Sequence, residues 1–362
     1  MLLKLAKALL GRSLLRVNIA VTSRCNSKCS MCNVWRSKPA DLDTALYHKA
    51  LLEARKLGPP LAVQLTGGEP TLRGDWPDLV LDAAETASPR VVELVTNGIK
   101  PSTKEVASIV SSLPRGCTLA IGVSIDGIGQ VYRRARGVDA FRRALESYLS
   151  MKSIERENPD KLLVHVNYTV SRANIGHMEA YLNWMMKKAA TPADQITPGV
   201  EQGGSLYRRR HAADRGFYLK AAADLKIYLK LLPKSKPAPS LLRQARRALI
   251  STYAALTIDR LQKAASHSLP PLSCTAGAES IFVDEHGAVK PCPIQHIKLT
   301  SLETSSLTLE YRHGAIREWR TKHKLCKLPC FSYCDHFTLL KNLTAAAEAA
   351  AKLAPHLWLT EH

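Results

Sequence analysis

Residues 14–35 read "LLRVNIAVTSRCNSKCSMCNVW". Two patterns meet in this stretch. Its first nine residues alternate, with Leu15, Val17, Ile19 and Val21 on one side and Arg16 and Asn18 on the other. That is the period of a β-strand. The spacing then changes to C-x3-C-x2-C, placing thiols at Cys25, Cys29 and Cys32. A strand that ends on three clustered thiols anchors the first half of the chain.

The same rhythm repeats downstream. "LAVQLTGGEP" stops at Gly67, Gly68 and Pro70; "VVELVTNG" at Asn97-Gly98; "TLAIGVSIDG" at Asp126-Gly127. "LLVHVNYTV" alternates again, with His165, Asn167 and Thr169 on one face, and "ITPGVEQGG" is a sixth strand of weaker pattern. Helical periodicities over 41–57, 75–88, 102–113, 138–152 and 174–190 fill the gaps. Strands that alternate with helices predict a parallel α/β sheet with right-handed crossovers. Six units fall short of the eight of a closed barrel, so the expected core is a partial (β/α)6, TIM-like barrel over 14–203. The polar turns all lie at strand carboxyl ends, where such folds build their sites.

The remaining chain divides by composition. Residues 1–13 form an amphipathic helix, with Leu2, Leu5, Ala6 and Leu9 on one face; it either caps the fold or lies on a membrane surface. It is not read as a signal peptide, because Lys4 and Lys7 interrupt it and no small-residue cleavage pattern follows. Residues 204–270 are a basic helical segment carrying more than half of the net charge of +20, broken by "PKSKPAPS" at 233–240. Residues 271–336 hold a cysteine-rich unit with a small hairpin, Ile281–Val283 and Val289 around Glu285-His286-Gly287. An alanine-rich helix occupies 337–352 within the last segment, 337–362.

Composition narrows the class. The 362 residues are 46% apolar and 23% charged, which is globular rather than disordered. No run reaches the roughly 18 apolar residues of a membrane span. A pI near 9.7 favours an acidic partner such as an anionic metabolite or lipid. Eight of the nine cysteines fall into groups at 25/29/32, 274/292 and 326/330/334. Clustered cysteines without a secretory signal read as metal ligands in a reducing, cytoplasmic compartment, with association at the inner membrane face as the alternative. Cys117 stands apart and reads as a buried, inert thiol.

Three explanations compete for the first trio. A structural zinc site needs four ligands, and the nearest histidine, His48, lies on the following helix. A dithiol pair would use Cys29 and Cys32 and leave Cys25 unexplained. A 4Fe–4S cubane takes one thiolate per iron, so three thiolates leave one iron open, the mark of a catalytic rather than a structural site.

The ordered set of C-x3-C-x2-C after strand one, "GGEP" after strand two, "TNG" after strand three and "SIDG" after strand four resembles the radical S-adenosylmethionine superfamily, across about residues 14–335. Met31 stands where that family commonly has an aromatic residue. The resemblance implies an enzyme in which Cys25, Cys29 and Cys32 are catalytic cluster ligands and the open iron is chelated by S-adenosylmethionine. One electron then cleaves the sulfonium to a 5′-deoxyadenosyl radical that abstracts a substrate hydrogen. It further implies that Gly67, Gly68 and Glu69 hold the methionine amino group, with Asn97 in the same cofactor-binding set. Ser124 and Asp126 would contact carboxylate and ribose, Arg136 the carboxylate, and Asn167 and Thr169 the ribose. Relatives often carry a His-Asp pair before that arginine, which "GQVYRRARG" lacks.

The C-terminal cysteines resemble the shorter, Twitch-like form of the SPASM auxiliary-cluster extension, with one additional 4Fe–4S cluster on Cys274, Cys292, Cys330 and Cys334 and Cys326 as the alternate ligand. Zinc on four thiolates is the competing reading. The implied partners are a one-electron donor of flavodoxin or ferredoxin type and a substrate drawn from lipids, lipid-linked glycans or small anionic metabolites. A peptide maturase is the alternative enzyme reading. An iron–sulfur or zinc scaffold or electron carrier is the alternative outside enzymes. No nucleic-acid-binding module is evident.

Overall fold

The computed structural model describes residues 14–100, 102–201, 214–234, 241–269, 272–295 and 297–323, together with 325–326 and Cys330. The expected helices at 1–13 and 337–352 lie outside them, as does Cys334.

Six parallel strands form where the alternation predicts them. They are β1 (Arg16–Thr22), β2 (Ala62–Gly67), β3 (Val91–Thr96), β4 (Thr118–Ser124), β5 (Leu162–Val170) and β6 (Ile196–Val200), paired in sequence order. Between them run α1 (Thr44–Lys56), α2 (Trp76–Asp82, continued by a π turn to Ala87), α3 (Thr103–Ser112), α4 (Gln130–Arg136), α5 (Phe141–Glu157) and α6 (Met178–Lys188). The sheet does not close, giving the partial barrel.

Outward-facing residues pack against the helices: Val17, Ile19, Val63, Leu65, Val92, Leu94, Val164 and Val166 are essentially inaccessible. Along β5 the lumen-facing Leu163, His165, Asn167 and Thr169 are only half-buried. The lumen is therefore partly hollow and carries polar groups. The register aligns Asn18, Gln64 and Glu93 across β1, β2 and β3. Arg16 joins that layer, its Nη1 and Nη2 donating to the Glu93 carboxylate at 2.9 and 2.5 Å and its Nε to Asn18 at 2.8 Å, while Gln64 donates to Glu93 at 3.0 Å.

One feature departs from the sequence reading and another adds to it. Helix α4 occupies "QVYRRAR", whose three apolar residues are too few to signal amphipathicity; Gly137 ends it in the left-handed region at φ +67°. The basic segment forms α7 (Arg215–Leu231) and α8 (Leu241–Ala265), which pack on one another. They bury Phe217, Leu225, Tyr228, Ile258 and Leu261, so they are core-forming as well as basic.

The C-terminal hairpin is built as expected, from β8 (Ser280–Val283) and β9 (Ala288–Lys290), after a short β7 (Leu272–Ser273). Strand β8 then adds parallel to β1, with Arg16 opposite Ser280 and Ile19 opposite Val283, and β10 (Thr300–Ser301) completes a nine-stranded sheet. One sheet thus crosses the expected boundary between barrel and cysteine-rich unit. Helices α9 (Leu307–Arg312) and α10 (Ala315–Lys322) follow, and β11 (Leu325–Cys326) pairs with β7. No helix among the described residues is long and apolar enough to cross a membrane.

Candidate active site

The site begins with how the thiol loop is held. After β1 the chain leaves the sheet and is pinned at both ends. Ser23 N donates to Ala40 O at 2.8 Å, and Ala40 N returns to Ser23 Oγ at 2.9 Å. In the middle, Lys28 N and Ser30 N donate to the carbonyls of Arg136 and Ala135 at the end of α4, at 3.1 and 3.0 Å. That approach requires Gly137, because a Cβ there would stand 2.1 Å from the Lys28 carbonyl oxygen. The Trp35 indole donates to Cys29 O at 3.3 Å.

The second side is the Gly-Gly turn. Gly68 N and Glu69 N donate to Thr22 O and Arg24 O at 2.6 and 2.7 Å. A Cβ on Gly68 would lie 2.1 Å from Arg24 O, and one on Gly67, at φ +121°, 2.2 Å from Thr22 O. Only glycine permits this contact. Glu69 is fully buried and its carboxylate is saturated. It accepts from Thr71 N and Oγ1, from Thr96 Oγ1 at 2.7 Å and from Asn97 N at 2.6 Å. Asn97 in turn donates to Asn26 Oδ1 at 2.6 Å and Ser27 Oγ at 3.3 Å. Glu69 and Asn97 therefore tie the turns after β2 and β3 to the thiol loop.

The third side is β4, β5 and α4. Asp126 accepts from Arg136 Nη1 at 3.0 Å and from Thr169 N at 2.6 Å. Asp126 is fully buried and the Arg136 side chain nearly so, and burial drives the Asp126 carboxyl up from its ordinary value. Desolvation opposes the Arg136 charge, but the neighbouring Cys29 and Asp126 outweigh it and hold the guanidinium firmly protonated. Its Nε is buried with no acceptor in reach.

These walls enclose a cavity of about 300 Å³. It is lined by all three thiols, by Gly67, Gly68, Glu69 and Asn97, and by Ser124, Arg136 and Thr169. Asp126 sits behind the wall as the anchor of Arg136. Asn167 lies off the wall as well, its amide against Gly122, where a Cβ would be 2.4 Å away. Sequence reading missed Gln64, Thr66, Trp35 and Glu201 in the lining. It also missed Arg73, whose buried guanidinium donates to Val21 O and Leu42 O at 2.9 and 2.7 Å. Lumen-facing alternation on β2 would have found Gln64 and Thr66; nothing local marks Arg73.

The donor set suits an iron–sulfur cluster with a bound cofactor. Desolvation pushes the Cys25 and Cys32 thiols up to about 11 and raises Cys29, so a thiolate here requires a cation beside it. Cys25 Sγ already accepts from Ser27 N at 3.4 Å, the kind of hydrogen bond that tunes cluster sulfurs. Among the described residues no three His, Cys, Asp or Glu side chains converge on a single metal ion. The glycine cradle and the unsatisfied Arg136 Nε leave room and a donor for a carboxylate-bearing cofactor. In the cysteine-rich unit, Cys274, Cys292 and Cys330 are half-buried, and Cys274 Sγ accepts from Ala276 N at 3.4 Å, the same i to i+2 arrangement.

An open parallel barrel whose first strand ends on a three-thiol loop, facing a Gly-Gly-Glu turn, defines a class of cofactor-dependent enzymes. Residues 19–184 match the Radical SAM superfamily model. Members of that superfamily are enzymes that use a 4Fe–4S cluster and S-adenosylmethionine. The GTP 3′,8-cyclases of Cronobacter sakazakii and Edwardsiella ictaluri are each 26% identical over 210 and 211 residues, 56% of this chain. The chain spans only about 60% of the length of these relatives. Among solved structures, anSMEcpe with bound AdoMet and a peptide superposes with a TM-score of 0.59 at 13% identity, covering 93% of this chain and 99% of that one. Streptococcus suis SuiB bound to the precursor peptide SuiA gives 0.57 at 16%, covering 88% and 69%. These two likenesses establish the fold.

Proposed function

We propose that the protein is a radical S-adenosylmethionine enzyme acting on a small, polar, anionic substrate held in the barrel lumen beneath the thiol loop. The observation that carries this is the cavity on which three thiols, the Gly67-Gly68 cradle and the Arg136 guanidinium meet. When bound, the cluster and S-adenosylmethionine supply one-electron cleavage of a sulfonium and hydrogen abstraction from substrate. The chain's own residues do the rest. Cys25, Cys29 and Cys32 ligate three irons. The backbone of Gly67, Gly68 and Glu69 receives the amino group, with Glu69 acting through its grip on the turns. Arg136, aimed by Asp126, pairs with the carboxylate, and Ser124 and Thr169 face the ribose. Asn167 orients β5 behind them.

The lumen chemistry selects among substrates. Gln64, Thr66 and Glu201 line the cavity beside Arg136, and Gln64 belongs to the hydrogen-bonded layer of Arg16, Asn18 and Glu93, a polar surface that an acyl chain would desolvate without replacing its water contacts. A polar metabolite is therefore favoured over a lipid tail. The curated relatives carry a nucleoside triphosphate in their name, so GTP is a first compound to try.

Cys274, Cys292, Cys330 and Cys334, with Cys326 as the alternate, hold one auxiliary 4Fe–4S cluster in the same proposal. The Ala276 hydrogen bond to Cys274 supports it. The partner implied is an external one-electron donor, and the clustering of eight cysteines as metal ligands favours a reducing, cytoplasmic compartment.

The test is anaerobic reconstitution followed by S-adenosylmethionine and dithionite. 5′-Deoxyadenosine should form, and the Cys29→Ser variant should lose at least about a hundredfold. A wild-type protein with full iron and no 5′-deoxyadenosine above background would falsify the reading.

A further inference from the structure

The outer face of the thiol loop carries a feature that the cavity does not use. Asn26 and Lys28, between Cys25 and Cys29, are exposed, so the loop separates the site from solvent by its own thickness. Residues 23–40 include no acidic side chain. The loop is stitched through Lys28 N and Ser30 N to the last turn of α4, and the outer side of that helix exposes Arg133 and Arg134. Arg142 and Arg143, at the start of α5, are exposed immediately after it. Asp139 is the one acidic residue between Gln130 and Arg143.

Resting on the function proposed above, we propose that this face, formed by Lys28, Arg133, Arg134, Arg142 and Arg143, docks an acidic one-electron carrier protein. Three arguments converge. A cluster that turns over by single electrons needs its donor near the thiols, since tunnelling falls steeply with distance, and this is the face where the loop itself meets solvent. Electron-transfer encounters are small and rely on charge steering rather than apolar area. A predominantly basic patch, with Asp139 its one acidic residue over 130–143, raises the encounter rate with an acidic surface and releases it readily at physiological salt. The step balances as one electron leaving the reduced flavin or iron–sulfur centre of the carrier and entering the 4Fe–4S cluster, oxidising the first by one and reducing the second by one.

The experiment pairs the wild type with an Arg133→Glu/Arg134→Glu variant, and with Arg133→Gln/Arg134→Gln as a milder control. Cluster absorbance and circular dichroism establish that each variant is loaded and folded. Binding of oxidised bacterial flavodoxin is measured by surface plasmon resonance, which needs no turnover. S-adenosylmethionine cleavage is then driven either by photoreduced flavodoxin or by dithionite. The charge-reversed variant should bind flavodoxin at least about tenfold more weakly and raise its KM in step. The Gln variant should fall between, and dithionite-driven cleavage should stay within about twofold of wild type. Raising salt from about 50 to about 300 mM should weaken wild-type binding and leave the reversed variant little changed. Unchanged flavodoxin binding and KM in the reversed variant overturn the proposal. So does a wild type that cleaves with dithionite but neither binds nor accepts electrons from flavodoxin or an acidic ferredoxin. A wild type silent with dithionite sinks the function reading instead.

Discussion

At the scale of single residues, the site depends on atoms that are not there. Gly67, Gly68 and Gly137 bring two backbone segments into contact with the end of β1 and the thiol loop, and each would collide with a carbonyl oxygen if it had a Cβ. Gly68→Ala is expected to lower stability by about 1–3 kcal/mol through overpacking and to weaken S-adenosylmethionine binding. Thermal melts and equilibrium dialysis check both, and an unaltered melt would show that the turn can yield. Asp126→Asn leaves the Arg136 cation buried beside a neutral amide. The expected loss is about 3–5 kcal/mol, read from urea unfolding of the apoprotein. These residues were partly legible. The glycines and Asp126 stood in recognisable turns, and the sequence placed Arg136 near a carboxylate. That Asp126 aims the arginine rather than lining the cavity needed the fold, because Arg136 meets Asp126 and Cys29 only once α4 packs on the loop. Asn167, expected at the ribose, likewise turns toward Gly122.

At the scale of elements, the join between barrel and C-terminal unit is carried by helix α1. Glu53, on its inner face, accepts from Thr308 N at 3.0 Å and from the Ser306 hydroxyl at the start of α9, and pairs with Lys56 at 2.7 Å. Desolvation would raise its carboxyl, but these hydrogen bonds outweigh it and hold it at about 2, against an ordinary 4.5. A depressed carboxylate stabilises the fold fully above about pH 4.5 and loses that contribution as pH falls toward 2. Glu53→Gln should therefore cost about 1–3 kcal/mol at pH 7. The gap between variant and wild-type apoprotein should narrow between pH 5 and pH 3, as followed by urea titration at each about half unit. A gap that stays constant with pH would mean that packing, not charge, makes the joint. Strands were readable here because their alternation is local. Helix α4 was not, since seven residues with three arginines give no amphipathic signal.

At the scale of the whole molecule, the sheet is longer than the barrel. Asn18 donates to the carbonyl of Ile281 at 3.2 Å across 263 residues of chain, and β8 covers the β1 edge that an open barrel leaves exposed. Local patterning predicts the hairpin but cannot say which edge it covers, because that pairing is set by a contact with no sequence neighbour. The same limit applied to the basic segment. Its charge was plain, while its role as a helical pair with a buried face was set by which residues α7 and α8 place inward. Coupling of the two units has a measurable consequence. Replacing Cys274 and Cys292 by serine should lower iron from about eight to about four per chain while leaving the first cluster intact. Iron analysis with retained dithionite-driven cleavage would bear this out, and an unchanged iron content would remove the auxiliary cluster.

The central claim is that Cys25, Cys29 and Cys32 hold a cluster whose fourth iron is free for a cofactor. Its most direct test is electron paramagnetic resonance of the reduced Cys274→Ser/Cys292→Ser protein, with S-adenosylmethionine carrying a nitrogen-15 amino group. The account predicts a nitrogen-15 hyperfine coupling on the cluster, and its loss when Cys29 is also replaced. A cluster signal that is indifferent to the labelled cofactor would contradict it.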